Sequence, residues 1–173
     1  MPLQPQDSPL GAFLKALREE KIDCILIGAM AAIEQGAPLM TVDYDFWVRL
    51  PERQYVRLLT IVQRQGGTIR ARTLYELRDG TQVNAVFRPD GLRSFDAEWK
   101  ISRWGKLENV PVKVLPLSRV IASKRAANRE KDVAVLPILR RPLRLARRLE
   151  TRRAPIAKPG KRRKQRRPKT RLP

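Results

Sequence analysis

Apolar residues recur at helical spacing in two clear places along the chain. Leu10, Phe13, Leu14 and Leu17 fall at i, i+3, i+4 and i+7, which predicts an amphipathic helix with Ser8 as its N-cap and Pro9 at its first position. Tyr55, Leu58, Leu59 and Val62 repeat that spacing after Pro51, and Gly66-Gly67 stop the run. Between them, Cys24–Ile27 is continuously apolar, as a strand buried on both faces would be. Gly28-Ala29 ends it, and Met30–Gln35 predicts a short helix closed by Gly36. Thr41–Leu50 then alternates: Val42, Tyr44, Phe46 and Val48 to one side, Asp43, Asp45, Trp47 and Arg49 to the other. Leu74–Arg78 and Gln82–Phe87 flank Asp79-Gly80, a hairpin signal. Lys100–Arg103 and Val110–Leu115 read as two further strands around Gly105. Pro116-Leu117-Ser118 leads into a helix from about Arg119 to Asn128, and a short helical piece follows over Asp132–Leu139. The order predicts an α/β (α+β) fold, a small mixed sheet flanked by helices.

Composition narrows the chemistry. The 173 residues include no histidine and one cysteine, Cys24. That excludes Ser-His-Asp and Cys-His nucleophile pairs, histidine zinc sites and an intrachain disulfide. What remains is chemistry on carboxylates, Lys, Arg, hydroxyls or a hard metal ion held by oxygens. A lone cysteine fits a reducing compartment, so cytoplasm is the expected location. No apolar run approaches the ~18 residues of a membrane span, and the N-terminus lacks the pattern of a secretory signal.

The formal net charge of +20 is unevenly spread. Residues 140–173 hold 16 of the 37 Lys and Arg but only one of the 17 acids, Glu150. Residues 1–139 are expected to form the folded domain, and 140–150 a basic helical extension. Residues 151–173 have four prolines and almost no large apolar side chain, the composition of a disordered basic tail. Residues 140–173 are expected to bind RNA or DNA by neutralising phosphates. No aromatic residue follows Trp104, so the tail offers no platform for stacking bases.

Asp43 and Asp45 are the sharpest chemical feature. At i and i+2 on a strand they share one face, ~7 Å apart along the chain. Two like charges so placed call for a cation, and Mg2+ or Mn2+ suits oxygen ligands where no imidazole or thiolate is at hand.

The glycine turn at Gly28, the short helix and Asp43-X-Asp45 after thirteen intervening residues resemble the nucleotidyltransferase superfamily related to DNA polymerase beta. Asp90-Gly91-Leu92 and the segment Ile121–Asp132 are similar to later parts of the small bacterial nucleotidyltransferases, some of which are grouped with abortive-infection toxins. The resemblance covers roughly residues 10–139. It implies a metal-dependent enzyme that transfers a nucleotidyl group from an NTP to a hydroxyl. It also implies that Gly28 and Ala29 lie against the nucleotide phosphates, that Asp43 and Asp45 hold Mg2+, and that Lys124 contacts the triphosphate. Arg129 and Asp132 lie near Lys124, and an N-cap role is expected for Asp132. Two positions depart from the family pattern. Ala29 stands where Gly or Ser is usual. Asn84 stands at the third catalytic position, where an acid is usual, and an amide can ligate a metal but cannot act as a base. Two further readings stay open beside the enzyme. One is a catalytically degenerate module that binds nucleic acid through its basic tail. The other is a toxin whose partner is an antitoxin.

Overall fold

The computed structural model describes residues 7–153. Along the described chain the elements run α1 (Pro9–Glu19), β1 (Cys24–Ile27), α2 (Gly28–Ile33), β2 (Asp43–Val48), α3 (Val56–Arg64), β3 (Thr68–Ile69), β4 (Leu74–Glu76), β5 (Gln82–Val86), α4 (Phe95–Ile101), β6 (Arg103–Leu107), β7 (Val110–Val114), α5 (Leu117–Ala127) and α6 (Glu130–Arg153). The strands form one mixed sheet in the order β3-β4-β5-β2-β1-β7-β6. At its centre β1 runs antiparallel to β2 and parallel to β7, while β2 runs parallel to β5. Helices cover both faces. Phe46 meets Phe13 of α1 on one side, and its neighbour Trp47 meets Phe95 of α4 on the other. This is the expected α/β class with a mixed sheet flanked by helices.

Local chemistry explains why several elements begin and end where they do. The Ser8 hydroxyl accepts from the Gly11 N–H at 3.0 Å, satisfying one of the donors left free in the first turn of α1. Asp79 accepts from the Thr81 N–H at 3.0 Å and Gly80 takes a φ of +87°, so the turn between β4 and β5 forms on its own residues. The central strand β1 is buried from Ile25 to Ile27, as a continuous apolar run requires.

Three expectations are corrected. Lys100–Arg103 is not a strand: Ser94 caps α4 by accepting from the Ala97 N–H, the helix runs to Ile101, and the strand begins only at Arg103. The polar side of β2 is not polar throughout. Trp47 is buried against Phe95, with its ring N–H donating to the Phe87 carbonyl at 3.2 Å, whereas Val42 precedes the strand and is exposed. The short piece expected over Asp132–Leu139 is the first part of the 24-residue helix α6, which holds Pro137 and Pro142 within it. The residue expected to end the folded domain, Leu139, is a fully buried side chain inside that helix. Residues 140–150 are helical, and most of 151–173 lies outside the described residues. Among the described residues no helix is long and apolar enough to cross a membrane.

Candidate active site

Strand register brings the site together. Asp45 of β2 lies opposite Ile27 of β1 on one side and Asn84 of β5 on the other. Gly28 follows Ile27 directly, so the β1–α2 turn sits over the Asp45 side chain. Gly28 has a φ of +68°, a left-handed conformation that glycine adopts without cost. The space a Cβ would fill there is taken by the Asp45 carboxylate. The glycine therefore admits the carboxylate itself.

Asn84 donates from its amide to Asp45 Oδ1 at 3.1 Å. Burial pushes the Asp45 carboxyl above its ordinary value. The Asn84 hydrogen bond opposes that shift, the Asp43 charge adds to it, and Lys124 and Lys131 pull the other way. Asp43 is two residues along on the same face, and its Oδ1 is buried with no hydrogen-bond partner. A buried acceptor without a donor beside a second carboxylate is the arrangement a hard cation would satisfy. Among the described residues, however, no three His, Cys, Asp or Glu side chains are grouped for a metal. The side chain beside Asp45 across the β2–β5 pairing is the Asn84 amide.

These residues open into a cleft of about 470 Å³, lined also by Ala29, Met40, Thr41, Thr73, Arg88, Asp90, Ser123, Lys124, Arg129, Lys131 and Asp132. Lys124 of α5 is there, and its ammonium donates to Asp132 Oδ1 at 2.8 Å. Both side chains are largely buried. Asp132 is not an N-cap. It stands in the first turn of α6 and also accepts an ion pair from Arg129 at 3.3 Å. Asn128 makes this possible. It closes α5 with a φ of +48° and turns the chain so that the first turn of α6 faces the last turn of α5. That left-handed asparagine, followed by an acid four residues on, was the available sequence signal. Arg88 was not singled out from the sequence, and Asp90 and Lys131 entered only as parts of longer segments, because only the α5–α6 turn and the end of β5 bring them to the cleft. The lining carries four basic side chains (Arg88, Lys124, Arg129, Lys131) against four acidic ones (Asp43, Asp45, Asp90, Asp132).

The chain matches no protein-family model and no curated protein sequence. Its fold does have solved counterparts. The solution structure of the antibiotic-resistance factor ANT(2'')-Ia superposes with a TM-score of 0.52 at 15% identity, covering 86% of this chain and 92% of that one. The fold is that of the nucleotidyltransferases. The crystal structure of ANT(2'')-Ia in complex with adenylyl-2''-tobramycin superposes with a TM-score of 0.50 at 16% identity, over 87% of this chain and all of the other. A Thermotoga maritima protein classed with the nucleotidyltransferases follows at 0.44 and 16% identity, over 82% and 91%. At such identities the likeness establishes architecture. In this nucleotidyltransferase fold the cleft beside Asp43, Asp45 and Asn84 lies at the C-terminal end of β1.

Proposed function

We propose that this chain is a metal-dependent nucleotidyltransferase. It takes an NTP with Mg2+ or Mn2+ and transfers the nucleotidyl group to a hydroxyl acceptor, with chemistry weakened by Asn84. The observation that carries this reading is the convergence of Gly28, Asp43, Asp45 and Lys124 on one cleft with an unsatisfied buried carboxylate oxygen. The balanced lining adds to it. Four acids cancel four bases, so the protein alone offers a triphosphate no net positive charge. A divalent cation on Asp43 and Asp45 would supply that charge and polarise the reacting phosphate.

The reaction is an in-line displacement. The acceptor oxygen bonds to the α-phosphorus, the bond from that phosphorus to the bridging oxygen breaks, and pyrophosphate leaves. Asp43 and Asp45 would hold the cation, with the carbonyl oxygen of Asn84 as a neutral neighbour. Lys124, Lys131 and Arg88 would face the phosphates. The hydroxyl proton must go to water or to the leaving group, since an amide cannot accept it. Loss of such a base costs on the order of 10²–10⁴ in rate. ANT(2'')-Ia was captured with an adenylylated aminoglycoside, which favours a small polyhydroxy molecule as the acceptor to try first.

Asn84 favours one other reading. Without a third acid the domain would be a degenerate nucleotidyltransferase fold that binds RNA or DNA through residues 140–173. Labelled NTPs with Mg2+ separate the two. The enzyme reading expects nucleotide binding and transfer that Asp43→Ala abolishes. No nucleotide binding, and no effect of Asp43→Ala, would overturn it.

A further inference from the structure

Away from the cleft, five side chains form a ladder of rings and cations near one edge of the sheet. Phe95 stacks on Trp99 with centroids 5.6 Å apart, and Trp99 meets Trp104 edge-on at 5.8 Å. The Arg49 guanidinium lies 4.8 Å from the Phe95 centroid, and the Lys113 ammonium lies 5.4 Å from Trp99 and 4.9 Å from Trp104. Asp96 neutralises Arg49 at 2.7 Å, whereas among the described residues no acid forms an ion pair with Lys113, which donates to the Ser102 carbonyl at 2.9 Å. The ladder ends on Trp104, which is 64% exposed. Trp104 sits on β6, the outermost strand on that side, where Lys100 and Lys106 are exposed close by in the chain.

Register places this end of the ladder on a known face. Trp104 lies opposite Lys113, Lys113 opposite Ile25, and Ile25 opposite Trp47. Trp47 shares its side of β2 with Asp45, so Trp104 lies on the same face of the sheet as the cleft.

We propose that this β6 edge binds a single-stranded nucleic acid. An exposed indole backed by the Lys113 ammonium accepts an unpaired base, and the neighbouring lysines meet the phosphates on either side. A duplex presents no free base face and would engage the lysines alone. This site differs in kind from the basic residues 140–173, which carry charge but no ring. It does not depend on the nucleotide reading of the cleft, so either can fail without the other.

The test uses the full chain and a single-stranded oligonucleotide of mixed sequence, titrated at several salt concentrations with tryptophan fluorescence as readout. The wild type is expected to show quenching. Trp104→Ala is expected to lose most of that quenching and to bind about 5- to 150-fold more weakly, the range expected for one stacked base. Trp104→Phe keeps a ring and is expected to bind within a few-fold of wild type, which separates lost stacking from lost folding. The duplex of the same sequence, and inorganic polyphosphate, should bind without quenching. Unchanged affinity in Trp104→Ala, or equal quenching by duplex or polyphosphate, would overturn the proposal and leave charge alone as the source of binding.

Discussion

Asn84 donates a hydrogen bond to Asp45 across the β2–β5 pairing, at 3.1 Å. The amide stabilises Asp45 in its charged form, whereas a carboxylate there would repel it. Without a metal, the amide is the better partner for a buried acid. With a metal it is the poorer ligand.

Asn84→Asp should lower the stability of the metal-free chain, because it replaces a donor by a like charge beside a carboxyl already raised by burial. It should also widen the thermal shift produced by Mg2+, since binding to the folded state alone stabilises by mass action. Thermal unfolding with and without Mg2+ reads both effects. If the chain is the enzyme proposed, nucleotidyl transfer should rise within the range given above for a general base. An equal Mg2+ shift in both proteins would mean that residue 84 lies outside the metal's reach.

Asp45→Asn should stabilise the metal-free chain near neutral pH. The folded-state pKa of Asp45 is raised, so folding favours its protonated form. That contribution is fully present below the ordinary Asp range and is lost as pH rises through the raised value. The neutral amide removes this loss, so the variant's urea midpoint should fall less than that of wild type as pH climbs from the Asp range to neutrality. Its response to Mg2+ should vanish. A parallel pH profile in the two proteins would contradict the assignment.

Gly28→Ala should be costly for a residue in a surface-accessible turn. The left-handed backbone costs a side chain about 1–2 kcal/mol, and the added carbon would overlap the Asp45 carboxylate. The expected outcome is a loss of roughly 2–3 kcal/mol in unfolding free energy together with a weaker Mg2+ shift. Gly80→Ala is the control. Its Cβ would meet nothing within 4 Å, so it carries the backbone cost without touching the site.

Glu98→Gln tests a support outside the cleft. Glu98 is fully buried, accepts from Arg119 at 2.6 Å and from the Arg93 backbone at 3.1 Å, and so ties α4 to α5. Burial alone would raise its pKa, but the Arg119 and Arg93 hydrogen bonds outweigh that and hold it below the ordinary glutamate value. A lowered pKa gives stability that is present above the ordinary Glu range and lost as pH falls through the folded value. The variant should lose about 2 kcal/mol at neutral pH, in the range for hydrogen bonds to charged groups, and should approach wild type in acid. Chemical denaturation at neutral and acid pH measures the difference.

Much of this architecture was written locally. Ser8 and Pro9 start α1, Asp79-Gly80 turns the β4–β5 hairpin, and the apolar run Cys24–Ile27 suits the interior strand it forms. The carboxylate pair was legible because a period of two places Asp43 and Asp45 on one face whatever surrounds them. What escaped depended on distant partners. The helix α4 has seven residues and two aromatic positions, too short to show a period, and its buried Glu98 is held by Arg93 and by Arg119, which lies 21 residues away. Trp47 alternates with acids on one side of β2, yet Phe95, far along the chain, covers it. Lys124 and Asp132 were each visible, but their pairing waited on the reversal at Asn128.

The helix α6 joins two electrostatic worlds. Its first turn, with Lys131 and Asp132, lines the cleft, and its other end is a run of arginines from Arg140 onward. At 1.5 Å per residue its 24 residues span up to about 36 Å, several times the ~8 Å over which charge is felt at physiological salt. The arginines stand from about 14 Å to more than 30 Å along the helix from Lys131, so a polyanion held at the far end would be largely screened from a phosphate at the near end. The two should titrate with salt as strangers, and the chain can carry a strongly basic arm without flooding its own cleft with positive potential.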